Sequence, residues 1–202
     1  LELTIQHAFL VVVPIGVATV LGILLGIVAH RQPMLRPPIL NTTSTFLTIP
    51  SLALFSLMIP LMGIGSPPVI FALILYSLLP IVRNTLAGLV SVDQAVVESA
   101  RGMGMSGRQR LWRIELPNAW PVILAGIRVA TQLIVGIAAI AALIGGPGLG
   151  NEIFSNGIRR IGSPGALNAI LGGTLGILVL AALFDVLYRV VERFTVSEGL
   201  QQ

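Results

Sequence analysis

An all-α integral membrane protein with five spans is predicted for this chain, on three observations. The first is composition. Of 202 residues, 55% are hydrophobic and only 10% are charged, where soluble domains carry about 25% charged residues. The second is run length. Pro37 to Val82 contains no charge at all, and one span takes about 20 apolar residues at 1.5 Å rise each. The third is the placement of charge. All twelve basic residues are arginine, and ten of them lie in segments 31–36, 83–128 and 189–193, beside apolar runs. The net charge of +4 therefore reflects topology, and nucleic acid is not an expected partner. There is no cysteine, so disulfides are excluded.

The spans follow in order. Residues 8–29 form the first. No basic region precedes it and no small-residue cleavage site follows it, so it reads as a true span rather than a leader. The uncharged run is too long for one helix and is broken by "GIGSPP", Gly63 to Pro68, a turn signal. It yields spans at 39–62 and 69–90. Val69 to Val82 alone would reach only about 21 Å, so Arg83 must snorkel to the headgroups or face a wet interior. Residues 120–144 form the fourth span, with Arg128 near its start. Residues 165–187 form the fifth, and Asp185 and Arg189 at i, i+4 mark a helix leaving the membrane. Only Arg159 and Arg160 fall on the arginine-poor side. The positive-inside rule then puts the N-terminus outside and the C-terminus inside. The chain is a single membrane domain, 1–202, with a cytoplasmic loop at 91–119 and an external loop at 145–164.

The cytoplasmic loop is unusual. "ESARGMGMSGRQRLWRIELPNA", Glu98 to Ala119, holds four arginines and two acids in an otherwise oily chain. Ser91 precedes Gln94 by three residues, a capping-box spacing, and predicts a short helix running to about Met103. Ser106 and Gln109 repeat that spacing before "RLWRIEL". Pro117 is expected to end this second helix, and Pro121 to sit in the first turn of the fourth span. The loop is thus two short helices meeting at a glycine corner.

These residues carry a resemblance. Glu98, Ser99 and Ala100, then three residues, Gly104, nine residues, and Ile114, Leu116 and Pro117 resemble the cytoplasmic signature of ABC importer membrane subunits. Serine replaces the family's alanine in the middle of the triplet. "TIPSLALFSLMIPLMGIG", "LYSLLPIVRNTLAGL" and "LIGGPGLGNEIFSNGI" resemble the permeases of osmoprotectant importers, which carry glycine betaine, choline, carnitine and related compounds. The resemblance implies a methionine-permease-like type I fold in the bacterial cytoplasmic membrane. It implies that the first short helix docks in a groove of a separate ATPase subunit. Glu98 would present its carboxylate there, Gly104 would permit a bend or close approach, and Leu116 and Pro117 would fix the return into the membrane. Further implied partners are a second permease copy or homologous permease, a second ATPase and an extracytoplasmic solute-binding protein. ATP and Mg would be used by the ATPase; no cofactor is expected on this chain. It cannot be its own ATPase, since a P-loop needs a lysine and the chain has none.

Other segments are weaker candidates. "GGPGLG", Gly145 to Gly150, follows a membrane helix rather than a strand, which argues against a phosphate loop. The resemblance places an external gate here, with Gly146, Gly148, Gly150, Ile153 and Phe154, and Ile158 and Ile161 completing an apolar side. Asn41, Thr45 and Thr48 form the most polar part of any span. They either line a translocation path or bond their own backbone, because Pro50 frees carbonyls that need partners. Arg128, Thr131 and Gln132 lie within about one turn and could line an inner vestibule, or Arg128 could snorkel. His7 and His30 are isolated, without metal spacing. Trp112 and Trp120 read as interfacial anchors.

The leading expectation is the membrane subunit of an ATP-driven importer of quaternary ammonium osmolytes. The substrate alternative is a small amino acid such as methionine. A different class, an ion-coupled transporter or channel, often needs ionisable groups at mid-membrane, and no acid lies deeper than Asp185.

Overall fold

The computed structural model of the chain describes residues 1–195 and is helical throughout, with no strand among them. The expected cytoplasmic end at Gln202 lies outside the described residues. Four helical runs are long and apolar enough to cross a membrane: α1 (Glu2–Arg31), α4 (Ser66–Ser91), the run Gly107–Ile144 and α8 (Ala166–Thr195). The expected straight span at 39–62 is not among them. It is split into α2 (Arg36–Thr48) and α3 (Ser51–Met62), bent by 99°.

Pro50 causes the break. A residue before proline is kept out of the helical region, and Ile49 is extended at φ −74, ψ 128. Its carbonyl leaves the helical ladder and would be costly to leave unpaired in lipid. The Tyr76 hydroxyl of α4 donates to it at 2.8 Å. A carbonyl freed at Pro50 was expected to need a partner; the partner comes from 27 residues away.

The centre of the bundle is α1, α4 and α7 (Leu116–Ala138). Lipid supplies no hydrophobic drive between helices, so small residues that let backbones approach decide the packing. A Cβ on Gly22 would lie 2.6 Å from Ile81, and one on Gly26 would lie 2.5 Å from Thr85. On the other side of α4, a Cβ on Gly88 would meet Ala119 at 2.9 Å, and one on Gly126 would meet Asn84 at 2.5 Å. Around these contacts lies a core that includes Leu10, Val11, Leu73, Ile81, Ile123 and Ile134. α8 stands at the margin and presents Leu171, Leu175, Leu178 and Leu183 outward.

Candidate functional site

The helix at the corner of the 91–119 loop is α5 (Gln94–Gly102). Its cap is Asp93, whose Oδ1 accepts from the Ala95 amide at 2.8 Å, and not Ser91 as the spacing predicts. α4 continues through Ser91, so that residue has helical backbone where a cap needs an extended one. The Ser91 hydroxyl instead bonds back to the Gly88 carbonyl at 2.9 Å. Ala100 is buried, while Glu98, Val96 and Met103 are exposed. The Ser99 hydroxyl donates to the Ala95 carbonyl at 2.7 Å. The departure from the family triplet is thus satisfied within its own helix. Gly104 has φ +80, and nothing lies within 4 Å of a Cβ built there. The bend, not close approach, is what calls for glycine.

Ser106 and Gln109 form the predicted capping box: the Gln109 amide donates to Ser106 Oγ at 3.3 Å and the Ser106 amide to Gln109 Oε1 at 2.8 Å. This starts α6 (Gly107–Arg110). The helix does not end at Pro117 as expected. It passes through a π-helical turn, Leu111–Glu115, straight into α7. A proline inside a helix removes one amide donor, and the wide turn absorbs that loss. The Leu116 amide reaches the Leu111 carbonyl, and the Asn118 side chain donates to the Ile114 carbonyl at 2.7 Å. Pro121 accordingly lies inside α7 rather than in its first turn. Ile114 and Leu116 are half-buried and Pro117 is exposed. Two polar contacts brace the segment. Arg31 at the end of α1 donates to the Gly107 carbonyl at 2.6 Å, and Arg110 pairs with buried Glu115 at 2.6 Å.

The two sets of candidate path residues are not joined by hydrogen bonds among the described residues. In α2, the Thr45 hydroxyl donates to the Asn41 carbonyl and the Thr48 hydroxyl to the Thr45 carbonyl, each at 2.8 Å. All three side chains are exposed, on the half-helix leading to the break. Arg128, Thr131 and Gln132 turn instead toward α8. Arg128 Nε donates to Asp185 Oδ1 at 2.7 Å and Gln132 Nε2 to the same oxygen at 3.1 Å. Arg189 holds the other oxygen at 2.6 Å. Buried Thr131 shares a 2.7 Å hydrogen bond with Tyr188. Arg128 thus has a partner within the chain, an acid 57 residues away that it shares with Arg189. Arg83 is exposed.

At the opposite end, the glycine loop is clamped. The Gly148 amide donates to Gln6 Oε1 at 3.2 Å, and Gly148 lies against fully buried His7, whose Nε2 is 3.0 Å from the Val135 carbonyl. A Cβ on Gly150 would sit 1.9 Å from the Ala139 carbonyl and one on Gly146 2.7 Å from Ala141. Ile153 and Phe154 are half-buried, with Ile153 against Gly173 of α8. Ile158 and Ile161 are exposed, so the predicted apolar side holds for only half its members. A π turn (Glu152–Gly157) followed by a 3-10 turn (Ile158–Arg160) breaks the α periodicity on which that face depended.

Sequence reasoning missed Tyr76, Gln6 and the Arg128–Asp185 pair. The last had a signal: charged residues within spans pair with one another, and few candidates were present. Among the described residues, no group of three His, Asp or Glu is placed to hold a metal.

A helical membrane bundle with a capped, polar two-helix corner is the architecture of a transport permease. Residues 18–196 match the family described as binding-protein-dependent transport system inner membrane component, and the chain belongs to that family. It is 42% identical over 205 residues to the osmoprotectant import permease protein OsmW of Salmonella typhimurium, covering 99% of this chain and 93% of that one. It is 35% identical to the glycine betaine/carnitine/choline transport system permease protein OpuCB of Bacillus subtilis, covering 97% and 88%. With the choline transport system permease protein OpuBB of the same organism it shares 36% identity, covering 98% and 89%. A chain from inward-facing MetNI, a methionine ABC transporter, superposes with TM-score 0.85 at 20% identity over 96% of this chain and 95% of that one. That likeness concerns the fold.

Proposed function

We propose that this permease carries compact quaternary ammonium osmolytes, such as glycine betaine, choline or carnitine, into the cell. The observation that carries the reading is near-full-length similarity to two permeases named for glycine betaine, carnitine or choline and to one named for osmoprotectant import. Methionine is disfavoured, because the likeness to the methionine transporter is one of fold at 20% identity. Energy comes from a separate ATPase pair docking on α5, with Glu98, Ser99, Ala100 and Gly104 at the contact and Ile114, Leu116 and Pro117 carrying it into the membrane. Exposed Glu98, Val96 and Met103 supply a mixed charged and apolar surface suited to a partner. A second permease, identical or homologous, completes the path. Asn41, Thr45 and Thr48 line it beside the break at Pro50, and Arg128, Thr131 and Gln132 hold its inner wall. Gly146, Gly148, Gly150, Ile153 and Phe154 form the external gate under a solute-binding protein. The arginine-bearing end, with α5, is cytoplasmic by the charge bias.

Uptake of labelled betaine and labelled methionine, in cells rebuilt with the whole operon, tests the substrate. Betaine uptake dependent on this gene is expected; methionine-only uptake would overturn the assignment. Glu98→Lys and Gly104→Trp should abolish transport while the chain still inserts. Normal transport and ATPase co-purification by either variant would refute the docking reading. A reporter after Gln202 should behave as cytoplasmic, and one within 63–68 as external.

A further inference from the structure

A polar cavity and an apolar groove are both lined by α1 and the Gly107–Ile144 run. The cavity, about 380 Å³, is lined by His30, Arg31, Gly107, Arg110 and Glu115. The groove, about 270 Å³, is lined by Ile23, Trp112, Leu116, Pro117, Trp120 and Ile123. The two are neighbours along the chain: Glu115 lines one and Leu116 the other. On α1, Ile23 and His30 are seven residues apart, two turns along one face, or about 10 Å.

The cavity is cationic. Arg31 and Arg110 face a single acid, Glu115, and Arg110 already neutralises it at 2.6 Å. The charged groups that act on the His30 ring are Glu115, Arg36 and Arg31. His30 Nδ1, which belongs to the cavity, and Arg36 Nε, whose charge acts on His30 from outside the lining, are buried nitrogens with no hydrogen-bond partner. Arg31 uses Nη2 on the Gly107 carbonyl. An unpaired buried guanidinium donor is costly and points to a missing acceptor, and the imidazole nitrogen can donate in one of its tautomers. Guanidinium groups match phosphate oxygens in geometry and charge, and basic pockets at the ends of membrane helices hold lipid headgroups. The groove is walled by aliphatic and indole surface, as an acyl chain requires, and tryptophan is a residue type that favours the membrane interface.

We propose that cavity and groove together bind one anionic phospholipid. Its phosphate is held by Arg31, Arg110 and His30, with the Arg36 charge acting on the same ring, and its acyl chain lies over Ile23, Trp120 and Ile123. The bound headgroup bridges the end of α1 to α6, beside the Arg31–Gly107 hydrogen bond. Lipid retention does not depend on the substrate or on the docking reading; only the identity of the leaflet rests on the proposed orientation.

The full chain, reconstituted in nanodiscs of phosphatidylglycerol or of phosphatidylcholine and released for native mass spectrometry, tests this. Retained phosphatidylglycerol is expected, with little phosphatidylcholine. R31Q/R110Q should lower retention about tenfold or more, since each change removes a charge-assisted hydrogen bond to the phosphate. R36Q, outside the Arg110–Glu115 pair, should lower it too and decides the matter if the double variant fails to fold. I23W fills the groove and should expel the lipid while titration with inorganic phosphate still reports binding. Equal retention of both lipids, unchanged retention in R31Q/R110Q and R36Q, or phosphate binding without lipid retention in the parent chain would each overturn the proposal.

Discussion

α4 and α8 are both apolar enough to span a membrane, yet they live in different surroundings. Of the most apolar window of α4, 61% is buried within the chain, against 11% for α8. The more apolar helix is the less buried one. In water that ordering would be perverse. In a bilayer, apolarity places a helix in the membrane but says nothing about its neighbours, because lipid is as apolar as leucine. Position inside the bundle is instead set by small residues and paired polar groups. α4 meets Gly22, Gly26 and Gly126 at near-backbone distance. α8 is attached through Asp185 and Tyr188 to α7, and through Gly173 and Gly176 to the glycine-loop end.

The sharpest way to break this contrast is to place the same side chain in both settings. Gly26→Leu drives a side chain into Thr85 and should cost about 3 kcal/mol or more. Gly172→Leu on α8 meets nothing within 4 Å and should leave the detergent unfolding midpoint unchanged. Similar losses in both would refute the idea that small-residue contacts order the bundle. Next in size is Asp185→Asn, which strips Arg128 and Arg189 of their shared acid. A lower midpoint is expected, recovered at least in part by Arg128→Leu with Asp185→Leu, since an unpaired charge is worse than none. A double variant worse than the single would show that the pair itself, not the orphaned charge, matters. Tyr76→Phe should cost about 1 kcal/mol, one hydrogen bond at the break. An unaltered midpoint would mean that Pro50 holds the bend alone. Smallest is Leu178→Ala on the outward face of α8, expected within about 0.5 kcal/mol, against about 3 kcal/mol for Leu73→Ala in the core. Equal values would place α8 in the core after all.

Much of this was legible before any coordinates. Run length locates the four long apolar helices. Ser106 and Gln109 announce a cap that forms, and Gly104 announces the corner. Local rules failed where a longer-range partner or an alternative helix geometry intervened. Pro50 signals a frayed helix, but the 99° turn also depends on Tyr76 in another span. Ser91 has the right spacing for a cap, yet α4 keeps it helical. Pro117 reads as a terminator because the rule assumes an α turn, and a π turn removes the conflict. Arg128 offers snorkelling or a vestibule from its own neighbours, and only the approach of α8 reveals Asp185.

The π turn at Leu111–Glu115 has a rotational consequence. It holds one residue more than an α turn would, and each residue of an α-helix sweeps about 100° around the axis. The Gly107–Arg110 face, aimed at Arg31, and the Gly126 face, aimed at Asn84, can therefore point to their separate targets on one unbroken rod. Deleting a single residue there would heal the turn to α and leave the two faces aligned, because the wide turn takes up its extra residue within one revolution. Tightening the turn to α with every residue kept would instead slip the azimuth of one helix relative to the other by about 100°. The chain would then keep its bundle and lose the alignment between its two ends.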